Sequence, residues 1–181
     1  MSALTGIDEE SWVLAVATDD DDALRNLVVE TLGHVLDEAP EPDDDGDVPI
    51  WIEDVPTYAS VDVDAGTVYL TTFLVEAVAD RVRATEVLSD LQLEFSEFKF
   101  VLHDDRVTAE QRVGACPLVP LHLLRAVGAV VPLAEQARVL ASRLGGVACV
   151  FDGEVSDGDA ESAVGENLLA GGCGCGDCTC G

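Results

Sequence analysis

Between Tyr58 and Phe73 the chain reads YASVDVDAGTVYLTTF, and this stretch limits the possible folds more than any other. Ala59, Val61 and Val63 alternate with Ser60, Asp62 and Asp64. That period of two puts apolar side chains on one face of a strand and polar ones on the other. Ala65-Gly66 closes a short connection to Thr67 to Phe73, so Tyr58 to Asp64 and Thr67 to Phe73 are predicted as a half-buried antiparallel hairpin. Val48 to Glu53 reads as a third strand ahead of it.

Helical spacing flanks this block. Asp19 to Asp22 supply capping and first-turn carboxylates, and Leu24, Leu27, Val28, Leu32, Val35 and Leu36 follow at the spacing of an amphipathic helix. Leu74, Val75, Val78, Ala79 and Val82 shift the period from two to about 3.6, predicting a helix that runs on through Val87, Leu88 and Leu91. A second hairpin is expected next, with Phe98, Phe100 and Leu102 on one face of its first strand and Asp104-Asp105 in its turn. Its second strand should point Val107, Ala109 and Val113 inward and Arg106, Thr108, Glu110 and Arg112 outward. Leu118 to Val131 and Leu133 to Leu144 read as helices parted at Pro132, with Leu121, Leu124, Val127 and Val131 on the first stripe, and Gly145-Gly146 ends them. Two short apolar runs are ambiguous. Trp12 to Thr18 is a strand or a helical turn, the strand being preferred, and Val147 to Phe151 is a last strand or an apolar anchor. The sum is an α+β fold, an antiparallel sheet with helices packed on one side, in the order α-βββ-α-ββ-α.

Length and composition divide the chain. Its 181 residues suit one domain over residues 1–151, with 1–18 the least defined part. DGEVSDGDAESAVGENLLAGG then gives an acidic, glycine-rich tether over 152–172, before a cysteine-rich tail at 173–181. The acid runs do not signal disorder, because 48% of the residues are hydrophobic and fall in periodic segments. With 36 acidic against 9 basic residues the formal net charge is -27, and Lys99 is the only lysine. Such a field repels nucleic acid, and no basic stripe offsets it. The same bias resembles proteins of salt-loving archaea, whose carboxylate surfaces stay hydrated in concentrated salt. Trp12 to Ala17 is too short to span a membrane and has no positive flank, so no membrane insertion and a cytoplasmic setting with reduced thiols are expected.

The element order, together with the stretch Leu91 to Leu144 containing FSEFKFVLHDDRV, resembles the type III secretion chaperones and the related YbjN family. The resemblance covers about two thirds of the chain and rests on element order and pattern. It implies a non-catalytic, chaperone-like or regulatory domain that binds a protein partner held in extended form, and that pairs as a homodimer.

The sharpest chemical signal is the terminal CGCGDCTCG. Cys173, Cys175, Cys178 and Cys180 form C-x-C-x2-C-x-C, four soft thiolates on a glycine-spaced backbone. The set suits one tetrahedral zinc, a copper(I) centre or an iron–sulfur cluster, and its close spacing is metallothionein-like rather than that of zinc fingers. A redox-active or unligated thiol tail is the alternative. Cys116 and Cys149, in apolar surroundings, read as core residues, while His34, His103 and His122 do not cluster. No phosphate loop, nucleophile elbow or zinc-protease motif occurs, and carboxylates are too abundant for any pair to nominate acid–base catalysis. The expected function is partner binding; soft-metal handling through the tail is the alternative.

Overall fold

The computed structural model describes residues 11–36 and 39–150. The elements are α1 (Asp21–Gly33), β1 (Val48–Ile52), β2 (Val55–Asp62), β3 (Thr67–Glu76), α2 (Arg81–Glu94), β4 (Lys99–Leu102), β5 (Val107–Gly114), α3 (Pro120–Glu135), α4 (Ala137–Leu144) and β6 (Val147–Ala148). This is the expected α+β order with the last helix divided and a short strand added. The tether over 152–172 and the tail over 173–181 lie outside the described residues.

The strands form one antiparallel sheet in the order β1-β2-β3-β5-β4. Val75 of β3 pairs with Val107 of β5 and with Ala148 of β6, so β6 lies on the β2 side of β3. The predicted central hairpin is present, with Ala59 opposite Leu70 and Val61 opposite Val68. One sheet face carries the buried Val48, Ile50, Val55, Ala59, Val68, Leu70, Leu74, Ala109 and Val113. Across it pack Leu24, Val28 and Leu32 of α1, Leu123, Val127, Val130 and Leu133 of α3, and Leu140 and Leu144 of α4. Each such side chain contributes about 1.5–3 kcal/mol when fully buried. Thr57 and Thr72 sit opposite one another inside this layer, and their hydroxyls bond at 3.0 Å, which makes two buried polar groups tolerable.

Local chemistry sets the boundaries. Asp20 caps α1 by accepting from Ala23 N at 2.7 Å, and Asp80 caps α2 by accepting from Val82 N and Arg83 N. Gly145, with φ 74°, ends α4 in the left-handed conformation.

Several expectations change. The helix predicted from Leu74 begins only at Arg81, because β3 continues to Glu76. A register shift between Phe73 and Val75 lets Leu74 and Val75 both point into the core, so two adjacent apolar residues imitate a helical stripe while remaining in a bulged strand. Glu53 and Asp54 form a two-residue turn at φ 49° and 64°, which starts β2 at Val55 rather than Tyr58. Trp12 to Thr18 is not a strand: a 3-10 turn spans Ser11–Val13, and only Val16 makes a bridge, to Leu118. Helix α3 runs through Pro132, and the break comes at Gln136, whose side-chain amide donates to the Pro132 carbonyl at 3.1 Å. Pro132 cannot donate to the Gly128 carbonyl one turn back, and the helix continues only to Glu135. The buried α3 stripe is Leu123, Val127, Val130 and Leu133 rather than the one through Leu121, Leu124 and Val131. Thr108 points outward by register as expected, opposite Phe73 and Val101, but is buried there, its hydroxyl 3.4 Å from His103 Nε2.

Candidate functional site

With the helices on one side, strand alternation sends a second set of side chains to the opposite face. Tyr58 of β2, Tyr69, Thr71 and Phe73 of β3, Val101 of β4 and Glu110 of β5 are half-buried there. Trp51 of β1 is 52% exposed at the margin. The aromatics are ordered by one another. Tyr58 and Phe73 meet edge-on with centroids 5.7 Å apart, and the Arg112 guanidinium lies 5.3 Å from the centre of the Tyr69 ring. Partial burial, and then the carboxylates of Asp43 and Asp47, push the Tyr58 phenol above its ordinary pKa, so it stays a neutral donor. Across β4 and β5, Lys99 Nζ reaches Glu110 Oε2 at 2.9 Å.

A cavity of about 350 Å³ adjoins this face, lined by Ser96, Glu97, Phe98, Lys99, Glu110, Gln111 and Arg112. Its origin is topological. Strand β4 begins at Lys99, opposite Glu110, while β5 continues to Gly114 along β3. Beyond Glu110, then, β5 has a strand on one side only among the described residues.

The two lateral edges of the sheet differ. Along β4, Gln92 of α2 donates its amide to the Phe98 carbonyl and accepts from Phe100 N, and Arg81 donates to the carbonyls of His103 and Asp104. Side chains of α2 thus occupy backbone groups that an added strand would use. At the other margin, Pro49 of β1 has no N–H to offer.

Cys173, Cys175, Cys178 and Cys180 lie outside the described residues. No group of three or more His, Cys, Asp or Glu side chains fit to hold a metal occurs among the described residues. His34 caps the C-terminus of α1 with Trp12 edge-on at 5.4 Å, His103 is in the β4–β5 turn, and His122 is exposed on α3. Cys116 is exposed rather than core, since the chain leaves the sheet beyond Gly114, and Cys149 is half-buried.

Burial, with Glu76 adding to it, pushes the Cys149 thiol up to about 11. Near neutral pH it therefore carries roughly a hundredfold less thiolate than an ordinary cysteine. Alkylation at pH 8 followed by peptide mapping is expected to label Cys116 ahead of Cys149, which should lag at least about tenfold by this order-of-magnitude argument. Equal rates would contradict the burial. Because the folded-state value is raised, Cys149 favours the fold fully up to about pH 9, its ordinary value, and this contribution is lost as pH rises through about 11.

Periodicity alone did not reveal the aromatic face. The signal was available in Thr67 to Phe73, where the outward positions of an apparently half-polar strand include Tyr69 and Phe73.

Comparison with known proteins gives a consistent family signal. Residues 22–152 match a family model, TY-Chap1, described as T3SS (YopN, CesT) and YbjN peptide-binding chaperone 1. A chain of the crystal structure of the ExsC–ExsE complex shares the fold at a TM-score of 0.52 and 17% identity, over 68% of this chain and 97% of that one. No curated protein matched. Among the described residues no helix is long and apolar enough to cross a membrane.

Proposed function

As the chain belongs to the TY-Chap1 family of T3SS and YbjN peptide-binding chaperones, we propose that it binds a protein partner in extended form across the outer face of its sheet. The observation that carries this is the face itself. Tyr58, Tyr69 and Phe73 stay half-exposed on a rigid antiparallel frame, with Trp51 at its margin. Aromatic rings held by sheet backbone give contact area at low entropic cost, and they favour extended segments that place alternate side chains downward. Selection from a displayed library of random 12-residue peptides tests this. Enrichment of peptides whose capture is lost on Phe73→Asp supports it; no enriched peptide would sink it.

Pairing of two copies is supported by α2. Val82, 74% exposed, and Leu93, 84% exposed, are eleven residues apart on one helical stripe. A dimer by light scattering that becomes a monomer in Val82→Glu/Leu93→Glu is the expected result. The excess of carboxylates supports a salt-rich cytoplasmic setting, in which the melting temperature rises with KCl instead of falling.

The tail supports a second activity. Four thiolates within eight residues, Cys173 to Cys180, have the chemistry to hold zinc, copper(I) or an iron–sulfur cluster. Elemental analysis of anaerobically purified full chain, set against a chain ending at Gly172, decides it: about one metal lost on truncation supports the site, and equal metal in both removes it.

A further inference from the structure

Gln111 is a core-facing position by register, directly opposite Leu70, and it is only 7% exposed. Its Oε1 is the one buried side-chain oxygen or nitrogen among the described residues without a hydrogen-bond partner. An orphaned buried acceptor destabilises a fold, and an apolar residue of similar shape would remove that cost. Here the residue lines the cavity left where β4 stops short of β5.

The lining fixes what could satisfy it. Acidic residues outnumber basic ones 36 to 9 in the chain, yet the cavity is bordered by Glu97 and Glu110 against Lys99 and Arg112, a balanced set. Lys99 is committed to Glu110 at 2.9 Å, and Arg112 lies over Tyr69. A carboxylate would find both cations engaged and the carboxylates of Glu97 and Glu110 at its sides. A cation would enter beside Lys99 and Arg112. A neutral group that both donates and accepts fits Gln111 without either conflict.

We propose that this cavity is a selectivity pocket that takes an Asn or Gln side chain of the extended peptide, paired amide to amide with Gln111. The proposal rests on the peptide-binding reading above. Pairing needs only rotation about the terminal torsion of Gln111, which is broad and two-fold. The client backbone would cross the outer face past the cavity mouth at Lys99 and Arg112, where the cavity borders Tyr69, and send one side chain in toward Gln111.

The test is the 12-residue library selected in parallel against the wild-type chain and Gln111→Leu, with synthetic peptides from the enriched pool measured afterwards. Wild type is expected to enrich Asn or Gln at one position relative to the aromatic-contacting residues, and Gln111→Leu to keep the apolar pattern but lose that preference. Replacing the enriched Asn or Gln of a synthetic peptide by Leu should weaken wild-type binding about tenfold and Gln111→Leu binding less than about twofold. Gln111→Leu should also melt a few degrees higher, roughly 2–4 °C, which shows that it folds. The same consensus from both chains, or no preference for Asn or Gln in wild type, overturns the pocket and leaves peptide binding standing. Failure of both folded chains to enrich any peptide overturns the peptide-binding reading, and the pocket with it.

Discussion

Gly146→Ala is expected to lower the unfolding free energy by about 2–3 kcal/mol, read as an earlier midpoint in denaturant with an unchanged slope. A Cβ at this position would stand 2.5 Å from the Glu76 carbonyl oxygen and 2.6 Å from Val75 Cγ1. Those neighbours cannot withdraw cheaply. Val75 and Glu76 are paired with Ala148 and Val147, and Val75 is also paired with Val107, so moving them would disturb two ladders together. The end of α4 thus passes the β3 backbone at a distance that only glycine permits. Two neighbouring substitutions separate this clash from other causes. Gly145→Ala meets nothing within 4 Å but imposes a left-handed backbone at φ 74° on alanine, at a cost of about 1 kcal/mol. Gly128→Ala in the exposed middle of α3, again with open space, should stabilise by roughly 0.5–1 kcal/mol. If Gly146→Ala were as mild as Gly145→Ala, the packing of α4 against β3 would be looser than described.

The second large effect is on binding. With a peptide from the library selection, Phe73→Ala is expected to raise Kd by about 10- to 100-fold, an aromatic hot-spot loss of roughly 1.4–2.8 kcal/mol. Phe73 lies at the centre of the outer face on β3, with Tyr58 edge-on at 5.7 Å. The two rings form one contact surface, so Tyr58→Ala should cost less once Phe73 is gone, and a double-mutant cycle should return a coupling of about 0.5–1.5 kcal/mol. Arg25→Ala on α1, across the sheet from this face, should leave peptide affinity within about twofold. Fluorescence polarisation at fixed salt measures all of them. Unchanged affinity in Phe73→Ala, with circular dichroism showing an intact fold, would move the binding site elsewhere.

Much of the frame was legible in the chain because binary pattern and strand period coincide. Ser60, Asp62 and Asp64 alternate cleanly with apolar neighbours, and Asp20, within the predicted run of capping carboxylates, stands just where α1 starts. The failures have definite causes. Glu53 and Asp54 make a tight turn without glycine or asparagine, so the usual marker of a hairpin is missing. The bulge after Phe73 buries Leu74 and Val75 side by side, and local periodicity cannot distinguish that from a helix turn. Along α3, which is apolar on most of its circumference, several stripes fit the spacing, and only packing selects the one through Leu123 and Val127. The aromatic face was hidden for a different reason. Alternation shows which side of a strand is buried, and the proposed binding side is the other one. Gln111 could be placed inward by counting from Val107, but that its acceptor would be left alone depends on where β4 begins.

The side chains that α2 lays along β4 have a consequence for behaviour in a crowded solution. Gln92 and Arg81 already answer the outward carbonyls of Phe98, His103 and Asp104 and the N–H of Phe100. A second molecule arriving at that margin finds these groups already bonded, and at the far margin it meets the proline of β1. Fusion of two sheets into a continuous ribbon is thereby disfavoured at both margins. For the binding of extended chains proposed above, such blunted ends would keep a captured segment a single guest instead of the seed of a fibre.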